Sequence, residues 1–432
     1  MTTPLAPQTI TPAMTRERAQ AVASGFDLRA LPPDFLANPY PVYTELRETE
    51  PIKRMPDGSV FLTRHADLMA VYRDAQHFSS DKHVEFAPKY GAGSPLFEHH
   101  TTSLVFNDPP LHTRVRKLIM GALTRRAIAD MEPGLIQLVD KLLDRIEAQG
   151  GGDLIEDFAS AIPVDIIGNL LGIHEGERGP LRQWSLSILG ALEPVITPAQ
   201  QVEGDRSVTA MLTYLKGLVA ERRLRPGDPE RDVLTRLVQG EANGEQLSEV
   251  ELLQNCIFLL NAGHETTTNL IGNGLILLQE FPETKDKLLR NMAAVDHDAA
   301  AHEAVLSAAV DEFLRYESSN QLGNRRVVHA TQLSGVDLPV GSLVTLCIGA
   351  ANRDPAAFAL PETLDLQRSP NKHLAFGFGI HQCAGLSLAR LEGRIAIGRF
   401  LQRFPGYHLT APPVRGGRAR FRGFLHAPFA TV

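Results

Sequence analysis

Residues 376–385 read Phe376–Gly377–Phe378–Gly379–Ile380–His381–Gln382–Cys383–Ala384–Gly385. Two glycines ahead of a cysteine permit a tight loop whose backbone N–H groups can point at sulfur. Ala384–Gly385–Leu386 then opens a helix expected over 384–403. A cysteine at a helix N-terminus has its thiolate favoured by the dipole and by free N–H groups. The thiolate is the form that binds a metal. Gly385 also leaves room for a flat ring system to approach. The competing reading is a buried cysteine in a glycine-rich turn. The other two cysteines, Cys256 and Cys347, sit inside apolar runs and read as small core residues. Three widely spaced cysteines do not suggest a disulfide framework.

Around this loop the chain reads as a large globule. It has 432 residues, 43% hydrophobic and 22% charged, enough to bury a sizeable core and a large cofactor. A net charge of −7 supplies no basic field for nucleic acid. No run of 18 or more apolar residues is present, so no membrane anchor is expected. The first twenty residues lack the apolar centre of a secretory signal, and a cytoplasmic location is expected. Residues 1–20 are rich in Thr and Pro and read as a flexible tail.

Helical periodicity predicts helices over 110–128, 132–149, 158–172, 207–223, 230–239, 248–280, 283–295, 303–317 and 384–403. Short strands are expected at Ile52–Arg54, Val60–Leu62, Arg326–His329, Gln332–Ser334 and Leu343–Ile348. The fold class is therefore mainly α with a minor β portion. The segment 248–280 is the most informative helix. Ser248 and Glu251 make a capping box, and Pro282 closes the far end. About 33 residues at roughly 1.5 Å each give a rod of about 50 Å. Its middle is apolar on nearly all sides, so it must cross the core. The polar string Asn261–Ala262–Gly263–His264–Glu265–Thr266–Thr267–Thr268 is out of place there. Gly and three β-branched Thr cost helix propensity, and such local conflicts often mark functional sites.

The loop at 376–385 resembles the haem-binding loop of the cytochrome P450 family, soluble bacterial type. The resemblance covers roughly residues 30–432 and implies the fold of that family, with 21–432 as a single haem-enclosing catalytic domain. It implies haem b as cofactor and Cys383 as its proximal iron ligand, with Phe376 and His381 in the same loop against the cofactor.

Three further motifs were compared with the family. Glu312–Phe313–Leu314–Arg315 puts both charges on one helix face. Alone it reads as an exposed ion pair. Lying 68–71 residues before Cys383, it resembles the family's buried pair, whose third member would be Arg353 or Arg368, with Arg368 favoured. Ala262–Gly263 followed by Glu265–Thr266 resembles the family's acid–alcohol pair. That likeness implies that Ala262 and Gly263 border the haem, that Thr266 rather than Thr267 supports bound dioxygen, and that Glu265 relays protons. A Thr hydroxyl can bond back to the carbonyl at i−4, here Ala262. His264 is expected to turn away. Asn107–Arg116 resembles the propionate-binding helix and implies His112 and Arg116 as ligands. Arg325, thirteen residues after Glu312, is implied as another, with Arg326 as its rival and His381 completing the set.

Family positions place pocket residues in 80–106, 180–205, Ile257, Phe258, Asn261, Ala262, 319–323 and Gly423–Leu425. The chain departs from its relatives at Tyr316–Leu322, which is more polar. Asn320 or Gln321 is expected to hydrogen-bond the substrate. The implied activity inserts one atom of O2 into a C–H bond of a small organic substrate. No flavin or iron–sulfur segment is recognised, so electrons are expected from a separate ferredoxin and ferredoxin reductase. Arg114, Lys117, Arg125, Arg126 and Lys372 are candidate docking charges. A haem sensor would not need the acid–alcohol pair, a peroxygenase would tend to replace it, and a zinc site would need more ligands near His381 and Cys383.

Overall fold

The computed structural model describes residues 10–229, 232–242 and 245–431. Helix Glu249–Glu280 runs through the centre, starting from the expected capping box: Ser248 Oγ accepts from Glu251 N–H while the Glu251 carboxylate accepts from Ser248 N–H. Helices Ala161–Leu170, Leu181–Gly190, Pro198–Leu224, Ala299–Tyr316 and Leu386–Arg403 pack around it. Leu253, Cys256, Ile257, Ile271, Leu275 and Leu278 bury its different sides, which is why the sequence is apolar all round.

The β portion stands beside this helical core as a five-stranded sheet. Its order is Ile52–Arg54, Val60–Leu62, Leu343–Cys347, Leu322–Val327 and Phe78–Ser79. Val344 pairs with Val60 in parallel, and Thr345 pairs with Asn324 antiparallel. Alternation along Leu322–Val327 turns Arg325 and Arg326 to opposite faces.

Several element boundaries differ from expectation. The helices expected at 110–128 and 132–149 divide instead at Leu123–Thr124, giving Leu111–Ala122 and Arg125–Gln149. Thr124 caps the second by accepting from Ala127 N–H at 3.1 Å, and Pro133 is accommodated inside it. The helix expected at 207–223 begins at Pro198, after a capping box of Thr197 and Gln200. Residues 230 and 231 of the expected helix 230–239, and residues 1–9 of the expected tail, lie outside the described residues. Within the remainder of that tail, Thr11 donates from its N–H and hydroxyl to Glu280, at 3.2 and 3.0 Å. A helix starts at Arg16 with Thr15 as its cap and buries Ala19. Composition was a poor guide here because Thr and Pro also mark a helix start.

One ionic cluster fixes the path of the chain toward Cys383. Glu312 and Arg315 have no exposed side-chain surface and meet through two bonds of 2.8 Å. Arg368 is the third member, its Nε 3.1 Å from Glu312, and Asn371 and the Asp365 N–H also donate to that carboxylate. The rival Arg353 pairs with Glu362 and lies over the rings of Tyr40 and Tyr316. Arg315 further donates to the carbonyls of Asn352, Pro361 and Thr363. Asn352 in turn accepts from Leu374 N–H at 2.7 Å, at the entrance to the cysteine loop.

Removing one partner of a buried ion pair leaves the other uncompensated, at about 3–5 kcal/mol. Arg368→Ala is therefore expected to lower the urea midpoint strongly and to reduce haem content, whereas Arg353→Lys lowers both less. Equal midpoints for wild type and Arg368→Ala, followed by circular dichroism, would contradict this role.

Candidate active site

The cysteine loop is built as its glycines require. Gly377 and Gly379 adopt φ of +63° and +73°, and a Cβ on Gly379 would lie 2.3 Å from the Tyr72 carbonyl oxygen. Gly377 N–H donates to Leu374 and Cys383 N–H donates to Phe376, which closes the loop. Helix Leu386–Arg403 follows directly. Burial pushes the Cys383 thiol up, while the Gly385 N–H and the charges of Arg116 and Arg390 pull it down. The expected bias toward thiolate is thus outweighed by desolvation. A cation bonded to sulfur reverses that balance.

Cys383 lines a cavity of about 350 Å³ between its loop and the central helix. Phe376, His381, Arg116 and Arg325 line it too, as do Ala262, Gly263, Thr266 and Thr267 from the central helix. The buried His112 ring stacks on His381, with centroids 4.1 Å apart, and so joins the same group. His381 Nε2 has no partner in the protein. Arg325 lies under Tyr72 and donates to the Asn324 carbonyl. Arg326 is bound to Glu85 at 2.9 Å, and strand alternation turns Arg325, not Arg326, to the cavity.

These features fit a haem. The cavity has a sulfur donor, a position at Gly385 where an added Cβ would meet nothing within 4 Å, and a cluster of cationic and imidazole groups suited to two carboxylates. Gly263 also serves packing, because a Cβ there would lie 2.5 Å from Ile167 Cδ1. Its absence lets helix Ala161–Leu170 approach the central helix closely.

Thr266 Oγ1 donates to the Ala262 carbonyl at 2.8 Å, the expected back-bond. Glu265 faces the other way. It lines a small separate pocket with His264, Thr268, Asn269, Arg182 and Arg418, and Arg418 donates to it at 2.5 Å. Burial outweighs that partner and raises the Glu265 carboxyl to about 7. His264 turns away from the large cavity, as expected.

A family profile described as Cytochrome P450 matches residues 195–413. Cytochrome P450 107B1 of Saccharopolyspora erythraea is 36% identical over 400 residues, covering 90% of this chain and 93% of that protein. The chain belongs to the cytochrome P450 family. Vitamin D(3) 25-hydroxylase of Pseudonocardia autotrophica is also 36% identical, over 86% of this chain and 87% of its own. The solved structure of P450BioI in complex with an acyl carrier protein ligated to hexadec-9Z-enoic acid superposes with a TM-score of 0.84. It is 33% identical, over 92% of this chain and 99% of that one. This cytochrome P450 is accordingly a haem-iron monooxygenase, with haem b as its cofactor. Among the described residues, no helix is long and apolar enough to cross a membrane.

The pocket expected from family positions needs correction. Asn320, Ser319, Phe258 and Asn261 line the large cavity, but Gln321 does not. Its amide donates to the Ser318 carbonyl at 2.8 Å and packs where Gly349 lacks a Cβ. Ile257 is core, and Gly423–Leu425 line the small pocket beside Glu265 instead. Arg420 and Phe421 line the large cavity and were not singled out from sequence; His100 lines it too, within the expected 80–106, but was not named individually. The adjacent histidines His99–His100 were the available signal. Arg114 is paired with Glu251, so its charge is not offered to a docking partner.

Charge-assisted hydrogen bonds contribute about 1.5–3 kcal/mol. Arg325→Ala is expected to speed haem transfer to an apo-globin acceptor by roughly 10-fold or more, while Arg326→Ala changes it little. The reverse order would exchange the two assignments.

Proposed function

We propose that this cytochrome P450 hydroxylates a C–H bond of a small organic molecule in the cavity above Cys383, using O2 and electrons from a separate ferredoxin and its reductase. The observation that carries the reading is that the back-bonded Thr266 and Cys383 line one cavity. Relatives named as hydroxylases of vitamin D(3) and of 6-deoxyerythronolide B support the reaction class.

The haem, when bound, supplies dioxygen activation. Cys383 would hold its iron through sulfur. His112, Arg116, Arg325 and His381 would hold its propionates, and Phe376, Ala262 and Gly263 would border the ring. Ile167, Leu189, Phe106 and Phe258 line the cavity with apolar surface and exclude water from it. Thr266 donates its hydroxyl to the Ala262 carbonyl and can rotate it into the cavity. Glu265, with a carboxyl that ionises near neutral pH, is suited to accept and release protons from its own small pocket. A cytoplasmic setting and an acidic ferredoxin suit this chain. Lys117, Arg125, Arg126 and Lys372 are exposed and offer cationic docking points.

With ferredoxin, reductase and NADPH supplied, Thr266→Ala is expected to keep consuming NADPH while product formation falls by about 100-fold, the lower end of the range for lost proton delivery. A proportional loss of both rates would remove Thr266 from the proposed role. Arg418→Gln deletes a charge that lowers the Glu265 carboxyl, so the carboxyl rises further above about 7. The limb of the pH–turnover profile near neutrality should then move to higher pH. An unmoved limb would show that Glu265 does not set it.

A further inference from the structure

Besides His381 and Glu392 beside the cysteine loop, four side chains around the large cavity leave a polar atom without a protein partner: His100 Nε2, Asn261 Nδ2, Ser319 Oγ and Asn320 Oδ1. They come from three elements: helix Pro95–Thr102, the central helix, and the segment after Ala299–Tyr316. Each buried polar atom left unpaired costs about 1–3 kcal/mol, so four around one cavity call for a ligand. Asn261 has its Oδ1 occupied by Ser185 Oγ at 2.7 Å, which leaves the amide N–H groups to donate. His100 sits among Phe86, Tyr90 and Phe106, with centroids 5.5–5.8 Å from its own. That apolar cage holds the imidazole neutral.

The charged groups of the same cavity are committed elsewhere. Arg116 and Arg325 lie at the His112–His381 end. Arg420 donates to the carbonyls of Leu192 and Leu322, at 3.1 and 2.6 Å, and to Asn324 Oδ1. Glu392 lies on the helix behind Cys383, and burial raises it to about 8. A carboxylate ligand would thus find no uncommitted cation, and an ammonium ligand no ionised acid. A hydroxyl both donates and accepts, so it can pair with any of the four orphaned groups.

We propose that the substrate is an uncharged, mainly apolar molecule bearing hydroxyl groups, and that His100 and Asn320 are its polar anchors. This rests on the reading that substrate occupies the cavity above Cys383. It adds the ligand's charge state and two specificity-determining residues.

The test uses the haem-loaded enzyme and three skeletons, each as hydrocarbon, alcohol and carboxylate: a dodecyl chain, adamantane, and androstane substituted at C17. Dissociation constants are read by calorimetry and by the Soret shift of the ferric enzyme. The alcohol is expected to bind tightest on the best-fitting skeleton, by about 5-fold over its hydrocarbon, the worth of one neutral hydrogen bond. His100→Phe and Asn320→Leu should each bring the alcohol to the hydrocarbon's affinity and leave the hydrocarbon unchanged. His100→Gln, which restores a polar atom, should recover part of the difference. Unaltered haem content and reduced carbonyl spectra show that the variants are folded.

The proposal is overturned if the carboxylate binds tightest, if no alcohol binds better than its hydrocarbon, or if both variants weaken alcohol and hydrocarbon alike. Binding is read without electron transfer. A failure of ferredoxin-driven turnover would therefore refute the electron source and leave this result standing, and the converse also holds.

Discussion

A single buried carboxylate, Glu312, organises the half of the molecule that presents sulfur. Its charge is enclosed on all sides and compensated by Arg315, Arg368, Asn371 and one backbone N–H. A buried ion is expensive, and its partners must be held in good geometry for the arrangement to persist. Here that demand orders the irregular chain from Asn352 to Asn371, which has little regular structure of its own. Arg315 and Arg368 spend their remaining donors on carbonyls of that stretch. The loop bearing Cys383 starts immediately afterwards, anchored through Leu374. The position of one sulfur atom is thus set by a network that never touches it. Such a network contributes specificity of path more than net stability.

Legibility from sequence followed periodicity and local chemistry. The central helix was readable because its cap is local and its apolar run is long. The choice of Arg368 over Arg353 and the back-bond of Thr266 were also readable, because each follows from a short motif. Boundaries set by competing caps were not. Thr124 ended one helix and began another, where the break had been expected between residues 128 and 132. Pocket membership was the weakest reading. Asn320 and Gln321 are neighbours, yet one lines the cavity and the other plugs a gap beside Gly349. Adjacent residues in extended chain point to opposite sides, and sequence alone does not say which side is inside. The same alternation separates Arg325 from Arg326, where family spacing did supply the phase. His100 fell within the expected 80–106 but was not picked out there, because a histidine on a short helix reads as core until the cavity beside it is seen.

The polar string in the middle of the central helix has a geometric reason. Successive helical residues turn by about 100°, so a four-residue stretch presents two faces. Ala262, Gly263, Thr266 and Thr267 face the large cavity, while His264, Glu265, Thr268 and Asn269 face the small one. Glu265 therefore stays out of the large cavity while Arg418 holds it. Its neighbour Thr266 lies on the cavity side, where it bonds to Ala262. An acid and an alcohol adjacent in sequence are separated by the helix itself. In the proposed relay, proton movement between them would need either rotation of the Glu265 side chain away from Arg418 or a hydrogen-bonded path around the helix. The buried carboxyl, poised near neutrality, suits the first route: once protonated it loses most of its attraction to Arg418 and is free to turn. In that proposal the guanidinium would act as a latch whose hold depends on the proton the acid is carrying.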